Sequence, residues 1–405
     1  MRERGMAITI PGLDVPLKAV REGLAEVLVP AEEIRAPKKA PVFYNPAMVV
    51  NRDIAVLVLR AWWARGGLDR PLRACEPLCG CGVRGIRFAL EVPSVGEVMM
   101  GDLNPSAVRL SRENVRRNRV EERVRVELSD ANVLLTQHSA PGRRFDYVDL
   151  DPFGSPAPFL DSAVRALRSR GLLALTATDM APLCGVYVLA CVRKYGAIPA
   201  RVDYAKELAV RILLGALARV TGAHDMGIRP LLAHATDHYA RAYCVLLRGQ
   251  GKASESVSRL GWLAHCPSCW ERELLPGLGS LPERECPSCG RRRLIAGPLW
   301  TGRLFDSEFC HAVAEEANRV PWVSRRARRV LELLAEEADG PPTYYSLPKL
   351  CDALDLGLPP VRELVSALRE RGWWASRTHF DPQGVRTNAP AKELVKAIRE
   401  LVKAR

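Results

Sequence analysis

In this 405-residue chain, chemistry is concentrated in residues 145–156, which read FDYVDLDPFGSP. Asp151 offers a carboxylate, Pro152 a main-chain carbonyl and Phe153 an aromatic ring, all within one turn. An amino nitrogen conjugated to a heterocycle is a poor nucleophile until its lone pair is freed from the ring. Two acceptors that hold its hydrogens can free that pair, while a stacked ring fixes the base, worth about 1–3 kcal/mol. The trio therefore suits methyl transfer to an exocyclic amino group. An ordinary strand-to-helix turn with an N-capping aspartate accounts for the same residues, so the neighbouring elements must discriminate.

Those elements repeat one arrangement. Phe145, Tyr147, Val148 and Leu150 make a short apolar run that Asp151-Pro152 stops, because proline lacks the ladder N–H and extends its predecessor. A helix is predicted from Phe159 to Leu167. Upstream, a strand to Cys75 runs into Glu76, then Gly80, Gly82 and Gly85, then a helix through Leu90. This is G-x-G-x-x-G in strand–turn–helix context. A second strand, Val95 to Gly101, ends at Asp102, and Asn104-Pro105 caps the next helix. A third, Val124 to Leu128, ends near Asp130-Ala131. Glu76 suits an amino-acid ammonium, Asp102 a pair of ribose hydroxyls and Asp130-Ala131 an adenine edge. The first two strands serve a nicotinamide dinucleotide or S-adenosylmethionine equally; four chemically apt strand ends in succession favour the methyl donor. A fifth strand is expected at Leu172 to Thr178, helices at 184–195 and 205–220, and an antiparallel pair near 228–235 and 239–247. Before all of these, a polar, basic lead carries Arg35, Lys38 and Lys39. Phe43 and Tyr44 stand on a loop, as core plugs or as a lid on a base pocket. A helix from Arg52 to Trp63 follows, whose Arg52 can reach a carboxylate.

The fold class expected is α/β: a Rossmann-like class I S-adenosylmethionine-dependent methyltransferase domain over residues 1–250, followed by a C-terminal domain over 251–405. The second begins with Cys266, Cys269, Cys286 and Cys289, two CPSC pairs separated by sixteen residues. That spacing favours a closed, structural zinc site within 262–295; a pair of disulfides or unoccupied thiols is the competing reading. Cys75, Cys79 and Cys81 read as packing residues. Residues 322–405 suggest a winged-helix-like α+β module: helices at Arg325 to Ala335, Leu347 to Leu354 and Pro360 to Arg371, then strand, turn and strand within Gly372 to Phe380. A net charge of +13 favours a polyanionic partner. No run is long and apolar enough to span a membrane, no signal peptide is visible, and no obligate protein partner is evident, so a cytoplasmic location is expected.

Taken together, FYNP with NRD (Phe43 to Asp53), GVRGIRFALE, GDLNP, DLDPFGSP, the paired CPSC knuckles, SRTHF and TNAP resemble the tRNA (guanine-26-N2)-dimethyltransferases. These archaeal and eukaryotic enzymes use S-adenosylmethionine. The resemblance covers nearly the whole chain. It departs at the Gly-rich turn, where Cys79 and Cys81 stand in place of the more usual serine or threonine. It implies that Arg52, Arg84, Asp102, Asp130 and Ala131 hold the cofactor, with Asp102 at the ribose and Asp130-Ala131 at the adenine. Asp151 and the Pro152 carbonyl would hold the guanine amino group, Phe43 and Phe153 would sandwich the ring, and the zinc segment and C-terminal domain would position tRNA. An N6-adenine or N4-cytosine DNA methyltransferase shares the Asp-Pro-aromatic turn but needs no zinc knuckles. A tRNA-binding protein with a degenerate methyltransferase domain is the non-catalytic alternative.

Overall fold

The computed structural model describes residues 8–10, 13–31, 41–66, 70–279 and 281–403. Arg35, Lys38 and Lys39 of the basic lead lie outside them. The N-terminal stretch is the first departure from expectation. It forms an antiparallel sheet of β1 (Ile8–Ile10), β2 (Leu13–Glu22) and β3 (Ala25–Pro30). Gly23, at φ +60°, makes the hairpin turn. Pro16, Pro30 and the interspersed charges obscure an alternation whose buried members include Leu17, Val27 and Val29.

The predicted strand series is present as β4 (Leu72–Glu76), β5 (Val95–Asp102), β6 (Val124–Leu128), β7 (Phe145–Leu150), β8 (Leu167–Ala177), β9 (Met226–His234) and β10 (Ala240–Arg248). Their hydrogen-bonded order is β6-β5-β4-β7-β8-β10-β9. Strand β4 pairs in parallel with β5 and β7, and β5 with β6, while β9 and β10 are antiparallel. The chain thus runs outward from β4 through β5 to β6, then returns to the other flank of β4. That reversal is a topological switch point, where open α/β sheets bind ligands. The helix expected at 184–195 is shorter, Val188–Tyr195, and a separate short helix, Met180–Leu183, precedes it. Gly185, at φ +85° and packed against the Ala200 backbone, separates them.

The chain divides into two compact units. One comprises the described residues of Met1–Asp151 with Asp161–Ala174 and Ala312–Leu331; the other comprises Pro152–Leu160, Leu175–His311 and Glu332–Arg405. The first unit has a buried ionic centre: Glu22 binds Arg52 at 2.6 Å and Arg87 at 2.9 Å, and Arg87 also binds Asp53 and Glu91. Burial pushes the Glu22 carboxyl up, but the two guanidiniums outweigh it and hold the group at about 2.

The second unit continues past β10 into β11 (Leu260–His265), β12 (Arg272–Pro276) and β13 (Leu294–Trp300), with β11 central. Helices Leu347–Ala353 and Val361–Glu370 follow as expected. The expected hairpin within Gly372 to Phe380 is corrected. Only β15 (Ala375–Arg377) lies there; its partner is β16 (Gly384–Thr387), with β14 (Tyr345–Ser346) on the other side of β16. The chain leaves β15 at Thr378 because Thr378 and His379 turn inward onto Glu337, through Thr378 Oγ1 at 2.7 Å and the His379 amide at 2.8 Å. A final helix, Ala391–Lys403, buries Leu394, Ala397 and Ile398 along one face.

Arg386 closes this module. It donates to Glu337 at 2.9 Å and to Glu207 at 2.8 Å, and Glu207 is also held by Arg211. Burial raises the Glu207 carboxyl, but Arg386 and Arg211 outweigh it and lower it to about 2. Because that lies below the ordinary 4.5, the stabilisation is full above about 4.5 and fades as pH falls towards 2. Arg386→Met takes a cation from each of two buried carboxylates, leaving Glu207 to Arg211 and Glu337 to Thr378 and His379, and is expected to cost about 3–5 kcal/mol in urea unfolding at pH 7. The deficit should shrink near pH 3, where the carboxylates that have lost Arg386 can protonate; an unchanged midpoint at pH 7 would contradict this role of Arg386.

Candidate active site and metal cluster

The chemistry of the first unit lies at the carboxyl ends of four adjacent parallel strands. At the end of β4, Gly80 and Gly82 adopt φ +55° and +79°, which lets the chain turn into helix Val83–Glu91. At Gly85 a Cβ would come within 2.3 Å of the Met100 sulfur, so the third glycine brings the helix against β5. Glu76 is buried, and its Oε2 accepts from the Gly85 amide at 2.9 Å. Burial pushes this carboxyl up to about 8 against the opposing pull of Arg84. The Cys75, Cys79 and Cys81 thiols are buried and their pKa values are raised, as suits packing residues.

At the end of β5, Asp102 accepts from the Gly80 amide and from the Asn104 amide, each at 2.9 Å. Asn104 caps the following helix and also donates to the Pro41 carbonyl at 2.7 Å. A Cβ at Gly80 would stand 3.2 Å from the Phe43 carbonyl. The loop bearing Phe43 therefore meets the glycine turn and the β5 end together. At β6, Asp130 caps helix Ala131–Gln137 through Oδ1, with Ala131 buried beside it.

Arg84 joins these ends to Asp151. Its Nε lies 3.5 Å from Glu76, its Nη1 lies 3.4 Å from Asp149, and its Nη2 donates to Asp151. Nη1 also donates to Asn51 Oδ1 at 2.9 Å, and Tyr147 donates to Asp149 at 2.6 Å. Sequence reading missed Asp149 and Asn51. The signal was the spacing of Tyr147, Asp149 and Asp151, which places three polar-tipped side chains on one face of β7. Arg52 is arranged differently: its guanidinium grips Glu22 at 2.6 Å through two nitrogens and donates to the Asn45 carbonyl at 3.1 Å. It lies over the Tyr44 ring, whose hydroxyl also reaches Glu22.

In the second unit the chain resumes at Pro152, which is buried, and Phe153, which is 58% exposed. Gly154 and Thr178 clamp this turn, the Gly154 amide donating to Thr178 Oγ1 at 2.7 Å and the Thr178 amide to the Gly154 carbonyl at 2.8 Å.

The second unit also gathers Cys266, Cys269, Cys286 and Cys289, whose sulfurs all lie within 4.8 Å of one another. The Cys266–Cys289 and Cys269–Cys286 separations are each 3.5 Å, far beyond a disulfide's roughly 2.0 Å. They approach the roughly 3.8 Å edge of a tetrahedron with metal–sulfur bonds of about 2.3 Å. The two knuckles repeat each other. Cys266 N donates to Glu271 O and Cys286 N to Arg291 O; Trp270 N returns to Cys266 O and Gly290 N to Cys286 O. Trp270 and Gly290 adopt matching φ values of +65° and +70°. Such a set can hold a tetrahedral, thiophilic metal with no open position.

The sequence model of the family described as N2,N2-dimethylguanosine tRNA methyltransferase matches residues 23–399. A tRNA (guanine(26)-N(2))-dimethyltransferase of Methanosphaera stadtmanae is 37% identical over 383 residues, covering 94% of this chain and 96% of that protein. One from Methanococcus maripaludis strain C7 is 39% identical over 388 residues, covering 95% and 98%. The solved complex of Trm1 from Pyrococcus horikoshii with S-adenosyl-L-methionine is similar at a TM-score of 0.83 and 36% identity, covering 94% of this chain and 100% of that one.

Proposed function

Because this chain belongs to the N2,N2-dimethylguanosine tRNA methyltransferase family, we propose that it methylates the exocyclic N2 of guanine 26 in tRNA. S-adenosyl-L-methionine is the donor, and two rounds give N2-methyl- and then N2,N2-dimethylguanosine. The observation that carries this reading is Arg84, whose guanidinium ties Glu76 to Asp151.

S-adenosyl-L-methionine, when bound, supplies a sulfonium-activated methyl group. The residues present fit it. Glu76 is a buried acid whose carboxyl stands at about 8, and an ammonium beside it relieves the cost of its charge. The turn at Gly80 and Gly82 packs closely, against the Phe43 carbonyl and against Ser111 and Met100, where a side chain would not fit. Asp102 is assigned to the ribose hydroxyls, and Asp130 with Ala131 to the adenine edge. Arg84 aligns Glu76 with Asp151, and Arg52 serves the cofactor side by holding Tyr44, Asn45 and the loop that carries Phe43.

Asp151 and the Pro152 carbonyl accept the two amino hydrogens of guanine and turn its lone pair away from the ring. Asp151 then takes the proton that the nitrogen sheds as it becomes methylated. One N–H remains after the first round, so the same acceptors serve the second. Phe43 and Phe153 offer ring faces to the extracted base. Most of the rate comes from this positioning, since the methyl group arrives already activated. Zinc is the metal proposed for the four cysteines, with a structural role.

The test is mass spectrometry of nucleosides from an unmodified tRNA transcript incubated with the protein and isotope-labelled S-adenosylmethionine. The expected result is labelled N2,N2-dimethylguanosine mapping to position 26, after transient N2-methylguanosine. Label in another base, or none despite bound cofactor, would contradict the proposal. Elemental analysis should find one zinc per chain. Its removal by a strong chelator should lower thermal stability while leaving cofactor binding in place; cysteines recovered as disulfides from freshly purified protein would contradict the metal.

A further inference from the structure

Exposed apolar side chains are usually scattered singly over a soluble protein. Here six of the sixteen large ones among the described residues fall within 186–198: Val186, Tyr187, Val188, Leu189, Val192 and Ile198. Leu189 is 83% exposed and Tyr187 62%. Helix Val188–Tyr195 buries Cys191 and Tyr195 on its inner face and turns Leu189 and Val192 outward. That is the reverse of the polar outer face that an ordinary surface helix presents.

This patch is fastened to the catalytic turn. Thr178 clamps Gly154, and the next residue, Asp179, accepts from Tyr195 Oη at 2.5 Å and from Lys194 Nζ at 2.8 Å. Tyr195 also hydrogen-bonds Ser155 of the same turn. The apolar helix is thus positioned by the segment that begins with Pro152 and Phe153. Its charge neighbourhood is basic: Arg193 and Arg201 are exposed, and Lys194 and Lys206 stand on the same stretch. The acid in that stretch, Asp203, is buried and taken by Arg272 at 2.6 Å.

A guanine in a stacked stem must leave its stack before Asp151 can reach its amine. Proteins that open a stack commonly insert an apolar wedge beside cations that hold the phosphates. We propose that Tyr187 and Leu189 form such a wedge, entering the tRNA stem next to the extracted guanine and filling the gap it leaves. Arg193 and Arg201 hold the flanking backbone. The inference rests on the proposed function and adds to it the residues that make a stacked guanine accessible. An apolar rim bordered by cations, with no exposed acid among residues 186–206, fits RNA better than a second copy of this chain.

The test uses the full-length protein and its Tyr187→Ala/Leu189→Ser variant, changed at two exposed surface positions. One substrate is intact tRNA; the other is the same RNA with the target guanine placed in an unpaired bulge. The variant is expected to lose about tenfold more kcat/KM on the stacked substrate than on the bulged one, the scale of an unstacking cost left uncompensated. In parallel, 2-aminopurine replaces the target guanine. Its fluorescence should rise on binding the unaltered protein and stay low with the variant, whatever the methyl transfer. Equal losses on both substrates, no loss, or an undiminished fluorescence rise would overturn the wedge. So would sedimentation showing a dimer that the variant dissolves, which would assign the patch to a second copy. Absent methyl transfer by the unaltered protein, with the fluorescence rise intact, would instead count against the proposed function.

Discussion

The first unit depends on one buried cation. Arg84 sits among Glu76, Asp149 and Asp151, three carboxylates contributed by the ends of β4 and β7. Parallel strands place such ends side by side, and the alternation of β7 turns Tyr147, Asp149 and Asp151 to one face. Three acids so close would repel one another and expel the chain from its core without a fixed counter-charge. Gly85 lets the helix carrying Arg84 come down onto β5, and the Gly85 amide takes up one oxygen of Glu76. The glycine-rich turn therefore delivers the guanidinium that makes the acids tolerable. Glu76 remains the unevenly satisfied member, held at about 8 by burial. Such a buried acid gains its charge more readily beside a further cationic group.

Around this centre, other buried ion groups fix the pieces that must meet a substrate. Glu22, brought in by the N-terminal hairpin, holds Arg52 and through it the Tyr44–Asn45 loop beside Phe43. In the second unit Asp179 ties helix Val188–Tyr195 to the turn that follows Asp151, while Arg386 ties the C-terminal module to helix Ala205–Gly222 through Glu207. Each group converts a long-range chain connection into a short, charge-assisted hydrogen bond. The cysteine knuckles bring Cys266 and Cys269 against Cys286 and Cys289 across sixteen intervening residues.

Much of this was legible in sequence, and the reasons are particular. Strands β6 and β7 fall on the residues that the pattern predicts, because an apolar run is cut off by an acid or by proline. The four cysteines meet because their spacing is a local geometric device. What was hidden depends on pairing across distance. Glu22 in a polar-looking lead gives no sign that Arg52 will claim it, 30 residues later. Asp149 reads as a strand position until Arg84 is seen beside it. The return strand Gly384–Thr387 escaped because Thr378 and His379 look like strand continuation, and only Glu337 reveals why they turn inward. Periodicity found a helix near 184–195 but could not say that its outer face would go uncovered.

The central claim is that Asp151 handles the substrate amine, while the neighbouring strand ends handle the cofactor. Asp151→Ala separates the two. Its affinity for S-adenosylmethionine, measured by calorimetry, should stay within a few-fold of the unaltered protein. Single-turnover methyl transfer to tRNA should fall by at least about 10²–10⁴, the scale of a lost general base with its orienting bond. Transfer at near-normal rate would contradict the account, as would a loss confined to cofactor binding.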